Sequence, residues 1–126
     1  MSPVSDRQRR AVESLDIQPG DHVLELGCGH GVAASLVCER LSPGGHLTAI
    51  VRSEKMIDAA SSRNSEHLAG GRATFLCTTF EAADFGDQRF DKVFGIHFPP
   101  ADRHDPAGTR ARAQELLTAD GVVRWF

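Results

Sequence analysis

The stretch that decides the fold is Val23-Leu-Glu-Leu-Gly-Cys-Gly-His-Gly31, in which three glycines alternate after an apolar run. The residues before the first glycine predict a strand that is covered on both faces. Residues 32–41 then follow a helical period, so the segment predicts a strand, a glycine-rich loop and a helix. Because glycine has no Cβ atom, such a loop can turn sharply and approach a ligand beyond the carboxyl end of the strand.

The rest of the chain continues the alternation of short apolar runs with amphipathic segments. This pattern predicts a single α/β domain over residues 1–126, with a doubly wound, mostly parallel, Rossmann-like sheet flanked by helices. We expect five strands, at residues 22–26, 47–51, 73–77, 90–96 and 122–126. We expect helices at residues 7–15 and 32–41, from a cap at Ser53 to a stop at Gly70-Gly71, and from Asp105-Pro106 to about residue 117. Residues 80–85 are predicted as a further helix or an irregular segment, and residues 119–121 as the turn before the last strand.

Composition and charge argue against several classes of protein. The 126 residues carry 14 Lys and Arg against 17 Asp and Glu, a net charge of −3, whereas nucleic-acid binding normally needs a basic face. No apolar run approaches the ~20 residues that span a bilayer, and the N-terminus lacks the apolar core of a signal peptide. The three cysteines and six histidines lack metal-ligand spacing, so we expect reduced thiols, no metal site and a cytoplasmic location.

The spacing of the glycines distinguishes two kinds of nucleotide-binding α/β protein. A dinucleotide fingerprint, G-x-G-x-x-G, would need glycine where this chain has Val32. The loop instead has the form E-x-G-x-G-x-G, beginning at Glu25, and it resembles motif I of the class I S-adenosylmethionine-dependent methyltransferases. Phe90-Asp-Lys-Val93 is similar to the strand-four motif of that family, and Leu116-Leu-Thr-Ala-Asp-Gly121 is similar to its turn before strand five. The resemblance covers nearly the whole chain.

The resemblance implies S-adenosylmethionine as the cofactor and assigns roles to the loop. Glu25 would hold the methionine end of the cofactor, because an acidic side chain can pair with its cationic amino group. The loop residues that would lie against the cofactor, through backbone atoms, are Gly27, Cys28, Gly29 and Gly31. His97, at the end of the fourth strand, would lie where the acceptor meets the methyl group and could take a proton from it. The alternative for His97 is a loop histidine that only hydrogen-bonds to backbone.

Two cofactor-binding positions of the family differ in this chain. Strand two of the family usually ends in an acid that binds the ribose hydroxyls, and the matching residue here is Val51, followed by Arg52; both are candidates for cofactor contact. An acid after strand three often binds the adenine amino group, and the matching residue is Thr79, whose hydroxyl can still accept a hydrogen bond. The neighbouring Phe80 either packs on the adenine or belongs to the core.

The last residues of the sequence, Arg124-Trp-Phe126, lie in an apolar strand, whereas the family fold generally continues to another helix and an antiparallel strand pair. We therefore expect a truncated form of the family fold that lacks its last strands. The edge formed by strand five would then carry apolar side chains, and such an edge favours self-association.

Three functions are open at this point. The first is a methyltransferase that acts on a small-molecule acceptor, which Glu25 and His97 support. The second is a truncated or degenerate methyltransferase-like domain with weak or no cofactor binding and no catalysis, which Val51 and Thr79 support. The third is an NAD(P)-dependent oxidoreductase, because Arg52 after strand two would suit a 2′-phosphate. We expect a small-molecule substrate and neither a nucleic-acid nor a membrane partner.

Overall fold

The structure is a computed structural model that describes residues 6–98 and 108–126. The strands, in chain order, are β1 (His22–Leu26), β2 (His46–Val51), β3 (Ala73–Cys77), β4 (Phe90–Gly95) and β5 (Leu117–Trp125). The helices are α1 (Asp6–Ser14), α2 (Val32–Cys38), α3 (Glu54–Arg63), α4 (Ser65–Ala69) and α5 (Thr109–Glu115).

The five strands form one sheet in the order β3-β2-β1-β4-β5, and every neighbouring pair is parallel. The central strand β1 pairs with β2 on one side and with β4 on the other, so Leu24 lies opposite both Thr48 and Val93. The chain runs outward from β1 to β3, returns to the other side of β1, and continues outward to β5. The doubly wound α/β fold that the sequence predicts is confirmed.

Helices cover both faces of the sheet. One hydrophobic cluster contains Val12 of α1, Ala60 of α3 and Val23 of β1, together with most of α2. A second cluster contains Ala113 of α5 and Leu24 of β1. Val23 and Leu24 belong to different clusters because successive residues of a strand face opposite sides of the sheet. The near-continuous apolar run of β1 thus reflects a strand with a core on each side.

The predicted helices are present among the described residues, but their ends differ and one of them divides in two. The helix expected at 32–41 ends at Cys38, and the residues up to Leu41 form turns. The helix capped by Ser53 begins as expected, with the Ser53 hydroxyl accepting from the Met56 N–H. It then divides into α3 and α4 at Asn64, whose backbone (φ −109°, ψ 25°) leaves helical geometry. Residues 80–85 form a turn and an irregular segment, one of the two alternatives that the sequence leaves open.

The turn predicted at residues 119–121 is wrong, because these residues lie inside β5. Phe90 of β4 pairs with Leu117, and Lys92 pairs with Val122, so the extra residues of β5 form a bulge. A Cβ atom on Gly121 would lie 2.9 Å from the Phe90 carbonyl oxygen, which explains the glycine. The local sequence resembles a turn because a bulge and a turn both favour glycine.

The predicted start of the last helix, at Asp105-Pro106, lies outside the described residues. Its described part, α5, ends at Glu115, and Leu117 already belongs to β5. Within residues 6–98 and 108–126, no helix has the length and hydropathy needed to cross a membrane.

Candidate functional site

The candidate residues come together at the edge of the sheet where the parallel strands end. β1 and β4 are neighbours, although the chain leaves β1 toward one side of the sheet and leaves β4 toward the other. In doubly wound sheets, a crevice opens between two strands whose connections leave in opposite directions, and ligands bind there. The glycine loop (residues 27–31) follows β1 directly and connects it to α2. The loop therefore borders the crevice.

The glycine loop has a backbone conformation that side chains disfavour. Gly27, Gly29 and Gly31 have φ values of 76°, 54° and 82°, all in the left-handed region. At the start of the loop, the N–H groups of Gly27 and Cys28 both donate to the Ile50 carbonyl of β2, at 2.9 Å each. The alternate glycines are therefore needed for the chain to leave β1 and remain bound to β2.

The three glycines differ in what surrounds them. A Cβ atom on Gly27 would lie 2.8 Å from Phe98 Cδ1, and one on Gly31 would lie 2.7 Å from Asn64 Nδ2. A Cβ atom on Gly29 would have nothing within 4 Å among the described residues. Gly27 and Gly31 are thus packed against the protein. At Gly29 the space that a side chain would occupy is empty of described residues, and we call this open backbone.

Glu25 is a buried acid in the strand that leads into the loop. Its side chain is 2% exposed, and its Oε1 atom has no hydrogen-bond partner in the part of the chain that the structure describes. Burial raises the pKa of Glu25 to about 8, so the carboxyl group is mostly protonated at neutral pH. An acid with an unpaired oxygen at this depth is destabilising by itself, unless a ligand supplies the missing partner.

Cys28 contributes backbone to the loop and a buried thiol to the core. Burial, together with the nearby Glu25 carboxylate, raises the pKa of Cys28 to about 12. The thiol is therefore neutral and unreactive at physiological pH. The Cys28 N–H donates to the Ile50 carbonyl and its carbonyl accepts from the Gly31 N–H at 3.0 Å, so contact between the Cys28 backbone and a ligand stays a prediction.

Val51 and Arg52 lie at the end of β2, beside the loop. Val51 is half-buried and packs against the hydrophobic cluster that contains Val12, Val23 and Ala60. Its side chain has no hydrogen-bonding group. Arg52 is exposed, and its carbonyl accepts from Cys77 Sγ at 3.6 Å. Neither Val51 nor Arg52 supplies a charged acceptor for a pair of ribose hydroxyls.

Thr79 and Phe80 follow β3, and their side chains already have contacts within the protein. The Thr79 hydroxyl accepts from the Ala82 N–H at 3.1 Å and so stabilises the turn that follows. Phe80 is 5% exposed, lies 6.4 Å from the Phe85 ring centroid, and is covered by the Arg112 guanidinium, 4.5 Å from its own centroid. Arg112 also donates to the Ala83 carbonyl. Of the two alternatives for Phe80, its burial fits the core residue.

His97 follows β4 and is exposed at the same edge of the sheet. Its backbone has φ 56°, an uncommon conformation for a residue other than glycine, and its N–H donates to the Phe126 carbonyl at 2.9 Å. This hydrogen bond holds the backbone from which the imidazole extends. His97 lies on the β4 side of the loop, and Val51 lies on the β2 side.

Sequence reasoning missed two residues that contact the loop. Asn64 fits the apolar period of its helix, yet its side chain is polar, 1% exposed and bonded to the Gly31 carbonyl. Phe98 lies over Gly27 and stacks on Trp125, with ring centroids 6.3 Å apart. A single Asn at a core position and an aromatic residue directly after a strand were the available signals. Among the described residues, no group of three or more His, Cys, Asp and Glu side chains could hold a metal ion.

Comparisons with known proteins match this chain to methyltransferases. A family model described as a methyltransferase domain matches residues 23–121. A nocamycin O-methyltransferase from Saccharothrix syringae is 34% identical to this chain over 117 residues, which are 91% of this chain and 40% of that relative. Matches to a protein-L-isoaspartate O-methyltransferase from Aeropyrum pernix and a ribosomal RNA small subunit methyltransferase A from Prosthecochloris aestuarii are 37% and 42% identical, each over 40% of this chain. The chain spans less than half the length of these curated relatives.

Solved structures show the same fold. A SAM-dependent O-methyltransferase from Thermotoga maritima has a TM-score of 0.78 at 18% identity, covering 96% of this chain and 43% of that one. A SAM-dependent methyltransferase from Thiobacillus denitrificans, solved with S-adenosyl-L-homocysteine, has a TM-score of 0.75 at 20% identity, covering 97% of this chain and 48% of that one.

The family match begins in β1, includes the whole glycine loop and extends into β5. The strand order and the E-x-G-x-G-x-G spacing agree with it. These findings favour the two methyltransferase interpretations over an oxidoreductase. The chain belongs to the class I S-adenosylmethionine-dependent methyltransferase family.

Proposed function

We propose that this chain binds S-adenosylmethionine at the glycine loop and serves to transfer its methyl group to a small-molecule acceptor. The observation that carries the proposal is the combination of open backbone at Gly29 with the buried Oε1 of Glu25, which has no hydrogen-bond partner among residues 6–98 and 108–126. Open backbone allows close approach of a ligand. An unpaired buried carboxyl group suits a ligand that brings its own cation.

Glu25 would pair with the amino group of the cofactor, and this pairing would change its protonation. The carboxyl group is mostly neutral in the free protein, because burial raises its pKa to about 8. A cation placed beside it favours the carboxylate and lowers the pKa again. We therefore expect cofactor binding to release up to one proton near pH 7 and to strengthen as the pH rises toward 8.

The bound cofactor supplies a methyl group on a sulfonium, whose leaving group is already in place. The chain has to hold the donor, align the acceptor and, for an oxygen or nitrogen acceptor, take up a proton. We assign the last role to His97, which is exposed at the end of β4.

A small-molecule acceptor is favoured by charge and by one relative. The net charge of −3 gives no general attraction to nucleic acid. The relative that matches 91% of this chain is named for O-methylation of nocamycin. The test is methyl transfer from tritiated S-adenosylmethionine to three separate pools: small phenols and carboxylic acids, ribosomal RNA, and denatured protein. Label in the first pool alone supports the proposal, and label in either of the others contradicts it.

A degenerate domain that binds the cofactor weakly is the second candidate function. It is favoured by Val51, which cannot bind a ribose hydroxyl, and by Thr79, which places a neutral hydroxyl where the family often has an acid. Cofactor binding without label transfer to any pool would support this alternative.

The first experiment measures binding of S-adenosylhomocysteine, S-adenosylmethionine and NADPH to wild type and to Glu25→Gln. A ligand at 100 times its Kd stabilises the folded state by about 2.7 kcal/mol, which melting curves resolve. We expect the two S-adenosyl ligands to raise the Tm of the wild type, and calorimetry in buffers of different ionisation enthalpy to detect proton release. Glu25→Gln keeps the shape of the side chain and should bind at least 10-fold more weakly, without proton release. Stabilisation by NADPH, and none by millimolar S-adenosylmethionine, would contradict the proposal.

We also propose self-association through β5. Among the described strands, β5 stands at one end of the sheet, and its half-buried residues include Val122, Val123 and Trp125. An apolar strand edge can pair with a second chain. Light scattering should therefore give a mass above that of one chain at high concentration, and a monomer under those conditions would contradict this expectation. A cytoplasmic location stays a prediction.

A further inference from the structure

We propose that Asn64 is a positioning residue that holds the end of the glycine loop in its ligand-binding conformation. The inference rests on the proposed function, because it explains how the chain shapes the proposed cofactor site. Asn64 lies at the junction of α3 and α4 and is 1% exposed. Its Nδ2 atom donates to the Gly31 carbonyl at 3.1 Å and to the Ala60 carbonyl at 2.9 Å.

The loop and the end of α3 are in direct contact. A Cβ atom on Gly31 would lie 2.9 Å from Ala60 Cα, so only glycine allows this approach. The residue before Asn64 adds a second bond, because Arg63 Nε donates to the His30 carbonyl at 3.2 Å. Two consecutive side chains at the end of α3 thus hold two consecutive carbonyls of the loop.

These hydrogen bonds do more than satisfy buried carbonyls. The Gly31 carbonyl already accepts from the Ser35 N–H at 3.1 Å, and the Ala60 carbonyl already accepts from the Asn64 N–H at 3.0 Å. The Asn64 Oδ1 atom is itself buried without a partner among the described residues, which is destabilising. An apolar side chain would avoid that cost, so the amide is better explained by what it does to the loop.

Holding the carbonyls adds to the restraint that backbone hydrogen bonds with Ile50 and Ser35 already place on the loop. Glycine has more backbone freedom than any other residue, and three alternate glycines make the loop especially adaptable. Each bonded carbonyl fixes the orientation of a planar peptide group. With the His30 and Gly31 carbonyls bound to α3, the open side of the loop at Gly29 is already formed before a ligand arrives. Such preorganisation lowers the entropy cost of binding.

The test compares Asn64→Leu, which keeps the branched shape but cannot hydrogen-bond, with Thr48→Val. Thr48 is 5% exposed in β2 and serves as a matched buried control outside the loop. The readouts are Tm, the Kd of S-adenosylhomocysteine by calorimetry, and residue-resolved amide exchange by NMR in the unliganded protein. We expect Asn64→Leu to keep its Tm within a few degrees, to bind at least 10-fold more weakly, and to exchange the Ser35 amide at least 10-fold faster. Thr48→Val should change neither the Kd nor the exchange rate of the Ser35 amide more than twofold.

Wild-type affinity and exchange in folded Asn64→Leu would overturn the proposal. If Asn64→Leu does not fold, Asn64→Ala replaces it, because the smaller side chain removes the same two hydrogen bonds without a clash. Asn64→Ala should exchange the Ser35 amide at least 10-fold faster, and unchanged exchange would overturn the proposal. If the wild type binds no S-adenosylhomocysteine, the proposed function fails, and the exchange data still decide whether Asn64 holds the loop.

Discussion

The glycine loop and the ends of β2 and β3 meet at the same edge of the sheet, yet they offer a ligand very different groups. On the loop side, Glu25 has a buried oxygen without a partner among the described residues, and Gly29 presents open backbone. On the side of β2 and β3, Val51 is apolar, the Thr79 hydroxyl accepts from a backbone N–H, and Phe80 is buried. The loop side therefore has polar groups that a ligand could bind, whereas Val51, Thr79 and Phe80 offer few.

This difference indicates which side of the site would contribute most of the affinity for the cofactor. A charge-assisted hydrogen bond contributes ~1.5–3 kcal/mol, and on the loop side Glu25 supplies a buried acid for one. On the other side, Val51 can add apolar contact but no charged acceptor. We therefore expect the affinity for S-adenosyl ligands to depend on the loop, and three changes can test this comparison.

The largest effect concerns the pH dependence of stability through Glu25. Its pKa is raised from 4.5 to about 8 in the folded protein, so the folded state holds this proton more tightly than the unfolded state does. The stabilisation is complete below pH 4.5 and is lost as the pH rises through 8. At ~1.4 kcal/mol per pKa unit, the free energy of unfolding falls by at most about 5 kcal/mol over this range. Urea unfolding from pH 4.5 to 8.5 measures it.

The control is Glu25→Gln, which has no proton to lose and should show a flatter profile over the same pH range. Equal slopes for the two proteins would mean that the Glu25 carboxyl group is solvated, and the contrast between the two regions would then lose its main support.

The second effect separates the two kinds of glycine in the loop. Gly31→Ala places a Cβ atom in a left-handed backbone position and 2.9 Å from Ala60 Cα, and it should destabilise the fold by about 3 kcal/mol. Gly29→Ala has the same backbone strain but open space around it, and it should cost only about 1–2 kcal/mol. Thermal melts measure both changes. Equal losses of stability in the two variants would show that the packing of Gly31 against α3 contributes nothing.

The smallest effect concerns the β2 side. Val51→Asp adds the acceptor that the family usually has there, and it should tighten S-adenosylmethionine binding about 10-fold, or ~1.4 kcal/mol. Burying a carboxylate should lower the stability of the free protein somewhat. Val51→Thr, which adds a hydroxyl without charge, is the matched control for calorimetry. Unchanged or weaker binding in a folded Val51→Asp would mean that Val51 does not occupy the ribose position.

Several features of the fold could be predicted because they depend on local pattern. The apolar runs at 22–26 and 73–77 match β1 and β3 at both ends, and the Ser53 cap forms as expected. The bulge in β5 could not be predicted, because its register depends on pairing with Phe90 across the sheet. The residues of the candidate site also differ in whether the sequence predicts them. The loop glycines follow from their spacing, whereas nothing near Asn64 in the sequence indicates that it reaches Gly31.

The sequence by itself determined the order of strands and helices, the conformation that three alternate glycines require, and the family to which their spacing points. Periodicity and glycine placement act over a few neighbouring residues, so they can be read locally. Only the tertiary structure decided that Glu25 is 2% exposed, with one oxygen that lacks a partner in the described part of the chain, that Phe80 lies in the core, and that Asn64 donates to the Gly31 carbonyl. Burial and hydrogen bonding of these side chains depend on residues far away in the chain, and folding alone brings those residues together.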